Sequence, residues 1–316
     1  MTKGISVFAP ATVANVGCAF DVLGFALQSP GDTVTITPSD TPGFTITAIE
    51  GDNDRLPRDP ATNAATVAAQ ALLTASHEHP QRRLSYEGFA FSIKKGLPIG
   101  SGLGSSSASS AAAVVAMNHL LGSPYSREEL VRFAMEGERV ACGSAHADNV
   151  APAILGGFVL IRSYDPLEVI KLPVPYVWVT IANPHLELKT SDARRILRRS
   201  IPLSQAISQW GNVAALVAGI YTNDPHLMGR ALQDHIIEPE RAQLIPGYQE
   251  AKQSALDAGA LGCSISGAGP SLFAFSATEQ IATNVADAMS HAFQALSIES
   301  TTSVSQINKQ GASLLD

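Results

Sequence analysis

One stretch constrains this chain more than any other: Pro98-Ile99-Gly100-Ser101-Gly102-Leu103-Gly104-Ser105-Ser106-Ser107-Ala108. Three alternating glycines are followed at once by three hydroxyls, and then by an Ala/Ser/Val run to Met117 that reads as a helix. Glycine opens backbone angles closed to other residues and lets the main chain approach a ligand closely. A helix starting directly behind such a loop offers unpaired N–H groups and the positive end of its dipole. The preceding segment, Phe89-Ala90-Phe91-Ser92-Ile93-Lys94, alternates like a strand. Strand, glycine loop and helix make a phosphate cradle, and phosphate implies nucleotide chemistry.

Two better-known glycine loops do not fit. A Walker A loop needs a lysine directly before its Ser/Thr, where this chain has Gly104. The dinucleotide fingerprint needs G-x-G-x-x-G, whereas Gly100 to Gly104 runs G-x-G-x-G. A Gly/Ser-rich segment is often a flexible linker. The apolar run of small residues behind this one argues against that.

At 316 residues the chain has the length of one large domain or two ordinary ones, and 45% hydrophobic residues are ample for a core. A net charge of −7 argues against a nucleic-acid surface. Cys18, Cys142 and Cys263 are odd in number and widely spaced, which suits reduced, buried thiols and gives no zinc pattern. No apolar segment reads as a leader or is long enough to span a bilayer. The expectation is a cytoplasmic protein without nucleic-acid or membrane partners. A homodimer is left open.

Along the chain, Ile5–Ala9 reads as a strand and Pro10–Gly24 as a loop of small residues. Thr33–Thr37 and Phe44–Ile49 alternate apolar residues with Thr and predict an antiparallel hairpin. Asn63–Thr74 reads as a helix, and Arg127–Glu138 as another, capped by Ser126 ahead of Glu128 and Glu129. His146 to Pro152 reads as a polar loop, and Phe158–Arg162 as a strand after Gly156-Gly157. Further on, strands are predicted at Val177–Ala182, Cys263–Ser266, Ser271–Phe275 and Thr301–Gln306. Helices are predicted at Ser191–Arg199, Leu203–Tyr221, from Pro225, Tyr248–Asp257 and Gln280–Ala295. Mixed elements without regular βαβ repetition make the class α+β. A soft boundary near residue 162 divides 1–162 from 163–316.

Pro98 to Ala108 resembles the P-x-x-x-G-L-G-S-S-A motif of the GHMP kinases. Pro10-Ala11-Thr12-Val13-Ala14-Asn15-Val16-Gly17-Cys18-Ala19-Phe20-Asp21-Val22-Leu23-Gly24 resembles the N-terminal segment of the homoserine kinases within that family, with Ala19 in place of a glycine. Asn and Asp on such a loop often bond only their own backbone. The resemblance implies instead that Asn15 and Asp21 line the substrate pocket, with Asp21 suited to an ammonium group. The lysine that many sibling kinases carry in this first loop is missing.

Gly137-Glu138 and His146-Ala147-Asp148-Asn149-Val150-Ala151-Pro152 match the same enzymes. Glu138 is either a solvated residue at a helix end or, as the resemblance implies, an oxygen ligand of Mg²⁺ together with Ser106. Some relatives place an Asp before the acceptor hydroxyl as a base. The match puts Asn149 there and turns Asp148 elsewhere. An Asn cannot take the hydroxyl proton as a carboxylate can, so Asn149 would orient the hydroxyl. Phosphoryl transfer tolerates this because catalysis is mostly positioning and charge stabilisation. His146 is read as a hydrogen-bonding pocket residue ahead of a base.

Arg194, Arg195, Arg198 and Arg199 are a solvated basic face in the bland reading. Only Arg194, with Thr190, matches the homoserine kinase pattern T-x-x-A-R, and Arg241 matches the later E-P-x-R. Two guanidinium forks suit one carboxylate. Ser264 to Ser271, with Gly267 at its centre, is either a tight hairpin or the third GHMP motif. The resemblance further implies that Pro98, Gly100, Ser101, Gly102, Leu103, Gly104, Ser105, Ser106 and Ser107 bind the nucleotide phosphates. Asn63 would contact the base, and Lys95 the phosphates or ribose.

What the resemblance implies as a whole is an α+β fold of two domains, the first like ribosomal protein S5 domain 2 and the second ferredoxin-like. The implied reaction moves the γ-phosphoryl group of Mg·ATP to the side-chain hydroxyl of L-homoserine, with Asn149, Glu138 and Ser106 as the catalytic set. Another small-molecule kinase of this fold, acting on mevalonate or 4-diphosphocytidyl-methylerythritol, is the alternative. A non-catalytic nucleotide-binding protein is the reading from a different class.

Overall fold

The computed structural model describes residues 4–77 and 86–315. The first half contains β1 (Ile5–Ala14), β2 (Leu23–Ser39), β3 (Gly43–Glu50), α1 (Ala64–Ser76), β4 (Gly88–Lys94), α2 (Ser105–Leu120), α3 (Arg127–Cys142), α4 (Ala147–Leu155), β5 (Phe158–Tyr164) and β6 (Leu167–Leu172). The second contains β7 (Trp178–Pro184), α5 (Thr190–Arg195), α6 (Leu203–Thr222), α7 (Pro225–Ala231), α8 (Glu238–Arg241), α9 (Tyr248–Asp257), β8 (Gly262–Ile265), β9 (Leu272–Ser276), α10 (Glu279–Ala295), β10 (Ser300–Gln306) and β11 (Ser313–Leu315).

One sheet runs β11-β1-β2-β4-β3, with β5 paired to the start of β2 and β6 to β5. The expected hairpin between β2 and β3 does not form. β4 lies between them, antiparallel to β2 and parallel to β3. The physical reason is burial: Phe89, Phe91 and Ile93 of β4 are closed to solvent, whereas only Ile49 of β3 is buried. The more apolar strand takes the central place and the amphipathic one takes the edge. The presumed loop Pro10–Gly24 is strand as far as Ala14 and strand again from Leu23. The boundary expected at residue 162 falls inside β5, and β11 returns from the far end of the chain to pair with β1.

α2 packs against β1 and β2 on one side and against α1 and α3 on the other. Its run of Ala and Ser follows from that central position, since small side chains let helices and sheet approach closely. α3 starts at a full capping box between Ser126 and Glu129 and continues one turn past its expected end, to Cys142. The polar segment after His146 is the helix α4, not a loop.

The second sheet, β10-β7-β9-β8, is antiparallel throughout, which is the ferredoxin-like order. Alternation along β9 divides its two faces. Leu272 and Ala274 meet a core with Tyr248, Met289 and Phe293 from α9 and α10, whereas Phe273 and Phe275 join the core of the first half. There Phe25 lies 4.9 Å from Phe158, 5.9 Å from Phe273 and 5.7 Å from Phe275, centroid to centroid. The two sheets therefore share apolar contacts, and the elements carrying the glycine loop and those carrying the arginines are held on one body. Among the described residues no helix is long and apolar enough to cross a membrane.

Candidate active site

The glycine loop lies between β4 and α2. Gly100, Gly102 and Gly104 all have positive φ, at 73°, 78° and 67°. Gly104 caps α2, and a Cβ there would meet the Thr12 hydroxyl at 2.2 Å and Asn149 Oδ1 at 2.9 Å. Only glycine satisfies both the angle and the space. The loop is pinned from the second half of the chain: Ser266 Oγ donates to the Gly102 carbonyl at 2.8 Å, and the Ser271 amide donates to the Ser101 carbonyl at 3.2 Å. Hydrogen bonds thus fix its shape before any ligand arrives.

Lys95 directly follows β4, beneath this loop. Its ammonium donates to Asp32 Oδ2, to Ser109 Oγ at 2.8 Å and to the Ser105 carbonyl at 2.8 Å. An ammonium has three protons, and all three are used. Asp32 also accepts the Gly96 amide at 3.0 Å and the Ser109 hydroxyl at 2.7 Å. Burial pushes the Lys95 ammonium below its ordinary value, and Asp32 acts against that.

On the facing helix α3, Glu138 is 5% exposed. Burial pushes its carboxyl up, opposed by the Ser106 and Ser107 hydroxyls and by Lys95. The Ser106 and Ser107 hydroxyls lie close enough to steady the carboxylate, yet among the described residues neither Oε1 nor the Ser107 hydroxyl has a partner at hydrogen-bond geometry. A buried carboxylate oxygen without a partner is costly. A hard cation beside it would satisfy that oxygen, and Glu138 with a serine hydroxyl is an oxygen donor set that Mg²⁺ accepts. No cluster of three or more His, Cys, Asp or Glu able to hold a metal occurs among the described residues.

The N-terminus of α4 enters the cleft with His146, Asp148 and Asn149. The Thr12 hydroxyl donates to Asn149 Oδ1 at 2.7 Å. That bond pins the amide and leaves its NH₂ group as the free end. Asp148 is 3% exposed and lines the cleft beside Asn149, contrary to the expectation that it turns elsewhere. The cleft wraps around the first turn of α4, so consecutive residues both reach it. Burial, with Asp21 and Glu138 nearby, raises the Asp148 carboxyl to about 7. His146 Nδ1 lies 3.8 Å from Asp21 Oδ1, and burial pushes the imidazole below its ordinary value, towards the neutral form.

The other end of the cleft is charged with both signs. Arg194 Nη2 lies 2.8 and 2.9 Å from the two carboxylate oxygens of Asp21. Arg241 is 3% exposed and donates to the Gly267 carbonyl at 2.7 Å, which also accepts from Asn15 Nδ2 at 2.8 Å. Burial and the neighbouring Arg194 push the Arg241 guanidinium down to about 10, so it stays charged at neutral pH. The Phe20 ring lies between the two, 5.1 Å from Arg194 and 5.0 Å from Arg241. Asn15 Oδ1 accepts the Asp21 amide at 3.0 Å, and the residue is part of the cleft lining. Arg195 and Arg198 instead pair with Asp192 and Glu240 on the surface, and α5 stops at Arg195, short of the expected Arg199.

One cleft of about 560 Å³ gathers all of the residues that the resemblance assigned to the site except Pro98, Leu103 and Ser107. Those three serve the loop from behind: Pro98 and Leu103 accept from Ser101 Oγ and the Thr12 amide, and Ser107 is buried in α2. Asn63 lines the cleft while capping α1 and donating to the Pro57 carbonyl at 2.9 Å. Sequence reasoning passed over Thr12, Phe20 and Asp32 as site residues. Thr12 and Phe20 lie inside the quoted N-terminal segment, which was the available signal. Asp32 carried none.

Two family patterns match the chain: the GHMP kinases N terminal domain over residues 63–157 and the GHMP kinases C terminal domain over residues 215–295. A homoserine kinase of Chlorobium phaeobacteroides is 52% identical over 322 residues, covering 99% of this chain and 100% of that protein. One of Chlorobaculum tepidum is 52% identical over 99% of this chain and 98% of its own. The crystal structure of homoserine kinase from Cytophaga hutchinsonii superposes with a TM-score of 0.94 at 52% identity, covering 100% of this chain and 98% of the other.

Proposed function

The chain belongs to the GHMP kinase family, among its homoserine kinases, and from that membership we infer that it transfers the γ-phosphoryl group of ATP to the side-chain hydroxyl of L-homoserine. The product is O-phospho-L-homoserine, for threonine synthesis. The observation that carries this reading is a single cleft holding a glycine loop at one end and, at the other, a carboxylate and two guanidiniums. A phosphate donor and an amino acid zwitterion are the pair of ligands that such a cleft suits. Mevalonate brings no ammonium for Asp21, and full-length relatives at 52% identity are homoserine kinases, so the alternatives are not favoured.

In this reading main-chain amides of residues 100–107 and the start of α2 hold the triphosphate, and Asn63 meets the base. Lys95 keeps the loop in shape from below. Ser106 and Glu138 would hold Mg²⁺, whose chemistry is to neutralise charge on the phosphoryl oxygens. Thr190, Arg194 and Arg241 take the substrate carboxylate, with Gly267 shaping the same wall. Asp21 takes the ammonium, with His146 and Asn15 beside it.

Asn149 orients the acceptor. Because Thr12 occupies its Oδ1, the amide presents N–H groups to the hydroxyl oxygen and takes no proton. The hydroxyl proton then leaves with the transferred phosphoryl group, which a loose transition state permits.

Two broader assignments follow. The free cysteines Cys18, Cys142 and Cys263 suit the reducing cytoplasm. The homodimer is assigned to α6, which has no charged residue and exposes Leu203, Ile207, Trp210 and Tyr221 at helical spacing. The reaction is tested by incubating the protein with Mg·ATP and a panel of alcohols. ADP release is expected with L-homoserine and not with mevalonate. Tight ATP binding with no turnover of any alcohol would overturn the reading.

A further inference from the structure

We propose that Gln209, which lies outside the cleft, is a positioning residue for its amino acid end and sets the affinity for homoserine. This rests on the reading of that end as the homoserine subsite. Gln209 is on α6 and is 7% exposed, the one buried side chain of that helix with an amide. Its Nε2 donates to the Cys18 carbonyl at 2.7 Å and to Asp234 Oδ1 at 2.8 Å, and its Oε1 accepts the His235 amide at 3.1 Å. Both amide protons are therefore used, each on a different segment.

Those two segments carry the opposite charges of the subsite. Cys18 belongs to the loop that presents Asn15, Phe20 and Asp21. Asp234 holds the start of α8: its Oδ1 also accepts the Ile236 and Ile237 amides at 2.9 and 3.0 Å, and its Oδ2 accepts the Glu238 amide at 3.0 Å. The last residue of α8 is Arg241. Gln209 is thus a tie between the segment of the acid and the helix of the guanidinium, and the spacing of those two groups must match a zwitterion. The segments also touch directly, since a Cβ on Gly17 would come within 2.4 Å of the Leu232 carbonyl. That contact keeps them together but does not fix their direction, whereas hydrogen bonds do. Packing alone does not call for an amide here. A methionine would fill the same space with no polar group to desolvate.

The test compares Gln209→Met and Gln209→Glu with the unaltered protein in steady-state kinetics and thermal unfolding. Gln209→Met is expected to raise KM for homoserine about tenfold, the size of a lost buried hydrogen-bond tie, with KM for ATP changed by less than about twofold. Gln209→Glu is expected to be worse, because a carboxylate would face the Cys18 carbonyl and Asp234 without a proton to donate. An unchanged KM for homoserine in both variants would overturn the proposal. So would a parallel rise for ATP, which would mark general loosening, or an equal effect of the two substitutions, which would mark packing. If the unaltered protein does not phosphorylate homoserine, the functional reading fails instead, and isothermal calorimetry with homoserine alone then decides whether Gln209 shapes an amino acid site.

Discussion

Lys95 and Asp32 form an ion pair whose side chains are 2% and 0% exposed, directly beneath the first turn of the helix behind the glycine loop. The pair joins the end of β4, the start of α2 and the middle of β2, so the loop's shape is tied to the core of the sheet. Removing one member leaves the other charge buried alone. Asp32→Leu should therefore cost about 3–5 kcal/mol of unfolding free energy. The combined Asp32→Leu and Lys95→Met change should cost less than the sum of the single ones. Urea unfolding of the four proteins checks this, and strictly additive losses would contradict it.

Glu138 carries the metal in the proposed function, and its Oε1 has no partner at hydrogen-bond geometry among the described residues. Glu138→Gln keeps the shape and removes the charge. Turnover should fall by about a hundredfold or more, while the melting temperature stays level or rises, because a buried charge without a full complement of bonds is gone. A near-normal rate across a magnesium titration would remove Glu138 from the site.

Asp148 should make the unliganded protein's stability depend on pH with a particular sign. Its carboxyl is raised from 3.8 to about 7, by burial first and then by Asp21 and Glu138. Between about pH 4 and pH 7 the folded state keeps a proton that the unfolded chain has released, so this contribution falls as pH rises through that window. Asp148→Asn should flatten the slope in denaturant unfolding measured across that range. In the native protein, a homoserine ammonium nearby would favour the ionised form, so binding near pH 7 should release protons. Calorimetry in two buffers of different ionisation enthalpy reads that release, and net proton uptake would contradict it.

Arg241 is tested by Arg241→Lys. Its guanidinium reaches the Gly267 carbonyl at 2.7 Å and stacks on Phe20 at 5.0 Å, and a lysine cannot present a fork or replace that geometry. KM for homoserine should rise about tenfold or more, with that for ATP little changed. An unchanged KM for homoserine would take Arg241 out of substrate binding.

Trp210 is 62% exposed on the uncharged face of α6. If that face is covered by a second copy, Trp210→Glu should turn a dimer into a monomer by light scattering. An unaltered protein that is monomeric at micromolar concentration would dismiss the dimer.

Features of short range were readable from the residues alone. The glycine loop announced itself because positive φ and a bare backbone are demands that each position makes for itself. The start of α3 was legible from Ser126 and Glu129, whose reciprocal bonds span three residues. Where a local signal pointed two ways, the resemblance to a family supplied the direction, as for Asn15, Glu138 and Arg194.

Long-range decisions belong to the tertiary structure. The order β2-β4-β3 follows from competition among strands for burial, which no single segment contains. The polar start of α4 disguised a helix, and only the cleft curving around its first turn shows that Asp148 and Asn149 share one space. Asp21 meets Arg194 across 173 residues, Lys95 meets Asp32 across 63, and Gln209 joins Cys18 to Asp234. Charges and amides attract whatever lies nearest in space, and the chain's order does not say what that will be. The residues thus defined the chemistry available, and folding chose which groups would meet.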